Sequence, residues 1–109
     1  MTLPNVADAV IDAEKVRDYL LSDSHPIGRF KATYFRSLGF NLADWESLRD
    51  ALLAHAREGN AAPGQASLFG QKYEVRGTLV GPSDRGEVIS VWIVRSGEEV
   101  PRFVTAYPR

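Results

Sequence analysis

His25 and His55 are the two imidazoles of this chain, and no cysteine accompanies them. An imidazole is the side chain whose ordinary pKa lies nearest neutrality, so either one is a ready general acid or base. Their surroundings differ. Residues 25–39 hold Arg29, Lys31 and Arg36 and not one acid. In a helix starting at Pro26, Arg29 follows His25 by about one turn and Lys31 by about one and a half. The first N–H groups of such a helix and these two cations then converge on one end, where a phosphate would be met. Metal-free RNA cleavage needs such a set: a base for the ribose 2′-OH, an acid for the departing 5′ oxygen, and cations for the charge developing on phosphorus. His25, Lys31 and Arg29 are the catalytic candidates on this reading. The plainer alternative is that His25 caps a helix and the three bases form its solvated face. His55, near the end of a scaffold helix, reads as a dipole partner or a surface residue.

Other chemistries lack their residues. Thiolate metal sites and disulfides need cysteine, and two histidines thirty residues apart without a carboxylate cluster make a poor zinc site. No phosphate loop, dinucleotide glycine fingerprint, nucleophile elbow or EF-hand loop occurs, so neither a metal nor an organic cofactor is expected.

The elements that must hold these residues follow from periodicity. Asp12 caps a helix to about Ser22, with Val16, Tyr19 and Leu20 as its buried stripe. The second helix runs from Pro26 to Gly39 with Phe30, Tyr34, Phe35 and Leu38 inward. Gly28 in its first turn implies an irregular start or a close approach by backbone or ligand. Asn41 opens the third helix, whose Leu42, Trp45, Leu48 and Leu52 repeat until Gly59. Residues 60–70 then read as a linker, because Pro63-Gly64 marks a turn. From 71 onward the period is two, giving three strands around Tyr73–Leu79, Ile89–Ile93 and Phe103–Tyr107, joined by short turn-rich connectors. Ser67–Phe69 or residues 6–11 could add a fourth. The expected fold is α+β: about three N-terminal helices packed on one face of a C-terminal antiparallel meander of three to four strands. Residues 1–109 form one domain, with 1–59 the helical half and 71–109 the sheet half.

Covering the sheet face that carries Val75, Leu79, Ile89, Val91 and Ile93 leaves Arg76, Thr78, Ser90, Trp92, Thr105 and Tyr107 on the open face. Aromatic rings there can stack on bases, and arginine and hydroxyls can hold phosphate oxygens. Arg76, Trp92, Thr105 and Tyr107 are therefore the substrate-binding candidates. A one-residue slip of register reverses this assignment.

The apolar content of 44% and charged content of 25% are those of an ordinary globular protein. A net charge of −1 speaks against indiscriminate nucleic-acid binding. No apolar stretch is long enough for a membrane span and no signal peptide is recognisable, so a cytoplasmic protein without membrane contact is expected.

Asp12-Ala-Glu-Lys-Val-Arg-Asp-Tyr-Leu-Leu21, His25-Pro-Ile-Gly-Arg-Phe-Lys31, the strand and turn from Tyr73 to Pro82, and Pro101-Arg-Phe-Val-Thr-Ala-Tyr-Pro108 resemble a compact bacterial domain family of unknown function. Such domains resemble those found as small separate genes and at the ends of large secreted proteins, a distribution of toxin modules. More distantly, the chain is similar to the ribonuclease superfamily that includes barnase, EndoU, the tRNase colicins and RelE. There, colicin-type members pair a helical histidine and lysine with a strand Ser-x-Trp. This resemblance points to His25 and Lys31 with Ser90 and Trp92, and adds Ser90 to the catalytic candidates. It implies a metal-independent endoribonuclease toxin of a toxin–antitoxin or toxin–immunity pair, acting on tRNA or mRNA and held by a cognate antitoxin or immunity protein. The alternative is a non-catalytic protein-binding module, itself antitoxin-like or immunity-like, docking through Trp92, Tyr107 and Arg76.

Overall fold

The computed structural model describes residues 1–22, 24 and 28–109, with 28–30 described by their backbone. After a 3-10 turn at Val6–Asp8, the helix here named α1 begins as a single turn, Ala13–Lys15, and continues as a π-helical stretch, Val16–Leu20. The hydrogen bond from Leu21 N to Val16 O, 3.0 Å long, closes the wider turn. Helix α2 spans Gly28–Ser37, and a 3-10 turn at Leu42–Asp44 leads into α3, Trp45–Glu58. Asn41 caps that entry as expected, its side chain accepting from Asp44 N at 2.9 Å. Gly39 ends α2 at φ +100°, a conformation that suits glycine. Pro26, the expected start of α2, lies outside the described residues.

Four strands follow: β1 Asn60–Ser67, β2 Gly70–Val80, β3 Arg85–Arg95 and β4 Pro101–Pro108, antiparallel in the order β1-β2-β3-β4. The α+β architecture, helices before an antiparallel meander, is the one expected. The linker at 60–70 is corrected, because its residues 60–67 are the edge strand β1. An edge strand hydrogen-bonds on one side only and so tolerates proline, and the irregularity between Pro63 and Ala66 absorbs the Gly64 step. Chain residue Met1 lies along the same edge, where Ala61 N donates to Met1 O at 2.8 Å. Of residues 6–11, Val10 alone bridges to Arg102, on the opposite edge of the sheet.

The helices cover one face of this sheet. Register places Val75 opposite Ser90, Gly77 opposite Val88, and Tyr73 opposite Trp92, so these residues share a face. Val75, Leu79, Val88, Trp92, Phe103 and Ala106 are buried there with Val16, Leu20, Phe35, Leu48 and Leu52 in one apolar cluster. Each large side chain removed from water contributes roughly 1.5–3 kcal/mol. Ile89, Val91 and Ile93, expected under the helices, point instead to the outer face. No helix among the described residues is long and apolar enough to cross a membrane.

Candidate functional site

Two of the sequence candidates, Lys31 and Thr105, meet directly. Lys31 is the fourth residue of α2, and its half-buried side chain reaches edge strand β4. Its Nζ donates to Thr105 Oγ1 at 2.7 Å and to Tyr19 Oη at 2.7 Å. The two hydroxyl oxygens stand 3.5 Å apart, so three elements converge on one ammonium. The same Nζ lies 5.0 Å from the Tyr19 ring centroid and 6.0 Å from that of Tyr107. Both rings are within the range at which a π face attracts a cation.

The π-helical stretch of α1 explains Tyr19. An extra residue in the turn leaves Val16 and Leu20 in the core while Tyr19 sits between the helices and β4. Burial raises the Tyr19 phenol, but the hydrogen bonds from Lys31 and Thr105, with the charges of Lys31 and Lys15, outweigh it and leave the group below the ordinary tyrosine value. Tyr107 is shifted the other way. Burial, the charge of Glu74 and a hydrogen bond with that carboxylate raise it, against the opposing charge of Arg76. Sequence periodicity identified Tyr19 only as a stripe residue, and nothing in the linear pattern marks Glu74.

Register fixes how the remaining side chains share the outer face. Glu74, Val91 and Thr105 lie in one row across β2, β3 and β4, and Arg76, Ile89 and Tyr107 in the next. Arg76 is exposed. A hollow of about 520 Å³ opens beside Tyr19 and Thr105, lined also by Glu14, Lys15, Asp18 and Val104.

Ser90 and Trp92 belong to the opposite face, and their expected place on the open surface is corrected. Both are 0% exposed. Trp92 Nε1 donates to Ser90 Oγ at 2.9 Å, and His55 Nδ1 lies 3.0 Å from the same oxygen. His55 Nε2 lies 2.9 Å from Val88 O and 3.2 Å from Gly77 O, both acceptors, so Nε2 carries a hydrogen. Ser90 Oγ then donates to Nδ1 in a chain from indole to hydroxyl to imidazole, and among the described residues no buried side-chain nitrogen or oxygen lacks a partner. His55, read from sequence as a dipole partner or a surface residue, is 2% exposed, which excludes the surface alternative. The physical reason is the strand register: pairing Val75 with Ser90 carries the even-numbered residues of β3 under the helices.

His25 lies outside the described residues. Arg29 falls in the first turn of α2, and its side chain is outside the description.

A family model described as a domain of unknown function, DUF6883, matches residues 2–109. No curated protein sequence matches the chain. Among solved structures, a chain of a contact-dependent growth inhibition toxin–immunity protein complex from Klebsiella pneumoniae 342 superposes with a TM-score of 0.68. The match covers 92% of this chain and 99% of that one at 19% sequence identity, a likeness of fold.

Proposed function

We propose that this chain, which belongs to the DUF6883 family, is the toxin of a toxin–immunity pair and cleaves RNA without a metal at the Lys31 cluster. The observation that carries the reading is the Lys31 ammonium, whose hydrogen-bond partners are two neutral hydroxyls and whose ion pairs among the described residues are none. A half-buried cation of this kind has lost part of its hydration without gaining a counter-ion, and an incoming phosphate supplies one.

The reaction follows from the groups present. Lys31 and the Thr105 hydroxyl hold the non-bridging oxygens of the scissile phosphate. The ribose O2′ bonds to phosphorus while the bond from phosphorus to O5′ breaks. His25, three residues before α2, takes the 2′ proton, and Tyr19 gives its phenolic proton to O5′, a transfer eased by the lowered value of that phenol. The products are a 2′,3′-cyclic phosphate and a free 5′-OH. Arg29, Arg76 and Tyr107 bind the flanking strand. Ser90 and Trp92, being core residues, take no part.

The substrate class is single-stranded RNA, in tRNA loops or mRNA, met in the cytosol. The Klebsiella complex contains both a toxin and its immunity protein, so likeness to it supports either role, and the Lys31 cluster favours the toxin. A cognate immunity protein is then the partner. The docking-module reading retains one observation in its favour, the exposed Leu68 and Phe69 at the β1–β2 turn, 93% and 79% accessible.

The test is purified protein on RNA in EDTA, with end mapping, beside induced expression in bacteria. Cleavage to cyclic phosphate ends is expected, and Lys31→Ala should reduce it by about two to three orders of magnitude, as loss of one stabilising group of this kind does. Intact RNA with wild-type protein, and unimpaired growth, would replace the toxin by the docking module.

A further inference from the structure

We infer that Glu74 reads a guanine base, specifying the nucleotide whose ribose attacks; this rests on the ribonuclease reading of the Lys31 cluster. Glu74 and Thr105 occupy one row of the outer face with Val91 between them, two strand spacings or about 10 Å apart. A nucleotide whose phosphate meets Lys31 and Thr105 therefore brings the far edge of its base to Glu74. The ground between is apolar and aromatic, formed by the part-exposed Val91 and Tyr107, and suits a flat ring. Tyr107 lies between the two ends, its ring centroid 6.0 Å from the Lys31 ammonium and its phenol within the field of the Glu74 carboxylate.

The carboxylate decides which base fits. An ionised carboxylate accepts hydrogen bonds and donates none. Guanine presents two adjacent donors, N1–H and N2–H, on one edge. Cytosine and adenine each set a single exocyclic donor beside a ring acceptor, and uracil sets one donor between two acceptors, so each of the three turns a lone pair towards the carboxylate. Arg76, two residues along the same strand face, supplies donors for guanine O6. The sheet thus holds phosphate at its β4 edge and the base edge at β2.

The experiment compares cleavage of the dinucleoside monophosphates GpU, ApU, CpU and UpU by wild-type protein and by Glu74→Gln. Wild-type protein should cleave GpU about tenfold to a hundredfold faster than the others. A glutamine offers one acceptor and one donor, matching adenine, so the variant should lose that factor on GpU and gain on ApU. A variant slowed equally on all four would show that Glu74 only supports Tyr107, and equal wild-type rates on all four would sink the base-reading role while leaving the ribonuclease intact. No cleavage of any of them, with RNA also intact, would remove the ribonuclease itself. Binding of 3′-GMP against 3′-AMP to the wild-type protein needs no variant: tighter 3′-GMP binding supports the assignment, and equal affinities overturn it.

Discussion

Two tyrosines beside one lysine are driven in opposite directions, and the difference is measurable. Lys31 and Thr105 favour the Tyr19 phenolate, whereas burial, and after it Glu74, disfavours that of Tyr107. With rising pH, folded protein releases the Tyr19 proton before unfolded protein does. That group therefore stabilises the fold progressively from its own lowered value up to the ordinary tyrosine value of 10.0, and fully above it. Tyr107 acts with the reverse sign, withdrawing stability above the ordinary value. A spectrophotometric phenolate titration should show one tyrosine ionising early, and Tyr19→Phe should abolish that phase. Lys31→Met should move it upward; an unchanged curve would contradict the geometry of the cluster. Ser90 gives a complementary prediction. Ser90→Ala leaves the Trp92 Nε1 hydrogen and His55 Nδ1 without their shared partner, which destabilises the fold by about 2–3 kcal/mol. Cleavage by the molecules that remain folded should be unchanged, measured as activity against chemical denaturation. Lys31 and Thr105 were legible as candidates from residue type alone. Glu74 was not, because nothing in residue type singles out a strand carboxylate, and only register sets it in one row with Thr105, Val91 standing between them.

The elements were legible where the apolar period was strong. Helices α2 and α3 ended at Gly39 and Gly59, where turn chemistry placed them, and β2, β3 and β4 fell on the three alternating runs. Strand β1 was hidden because Asn60-Ala-Ala-Pro-Gly-Gln-Ala-Ser67 has no alternation and carries two breakers, and an edge position removes the penalty that breakers normally incur. Faces were hidden for a different reason: both odd and even residues of β3 are largely apolar, so only pairing with β2 decides which set enters the core. Close packing of the β2–β3 turn on α2 is likewise a tertiary fact. Gly81 N donates to Asp84 O at 2.8 Å and Ser83 N to Leu38 O at 3.0 Å, which seats the turn on the end of the helix. A methyl group added at Gly81 would fall on the Leu38 carbonyl oxygen, a backbone atom that cannot step aside as a side chain can. Gly81→Ala should therefore lower the urea midpoint by an amount equivalent to about 1–3 kcal/mol. Gly97, with nothing within 4 Å of an added methyl group, lies beyond reach of any such clash and differs only in its φ of +82°. Gly97→Asn, which tolerates that backbone, should leave the midpoint within about 0.5 kcal/mol, and a comparable loss at both positions would reject the close-packing account.

For the molecule as a whole, the question is whether helices and strands unfold together. Between Glu58, the last residue of α3, and Asn60, the first of β1, stands the single residue Gly59, so no flexible segment separates the halves. The apolar cluster draws on both: Val16, Phe35, Leu48 and Leu52 from the helices pack with Val75, Val88, Trp92 and Phe103 from the sheet. Removing either layer would expose the buried face of the other. A three-helix fragment or an isolated meander would then present more apolar surface than its remaining contacts could offset. The polar core agrees, since His55 of α3 bonds to Val88 and Gly77 of two different strands. The expected outcome is one cooperative transition across residues 1–109. The two tryptophans make this measurable, because Trp45 begins α3 while Trp92 lies at the centre of β3. In Trp45→Phe protein, fluorescence follows the sheet alone, and helical circular dichroism follows the other layer. Their urea curves should superimpose, with one midpoint and one slope, as for a two-state domain. Separate midpoints would mean that the layers are independent units, and the Lys31 cluster, held between α1, α2 and β4, would then open before the sheet itself is lost.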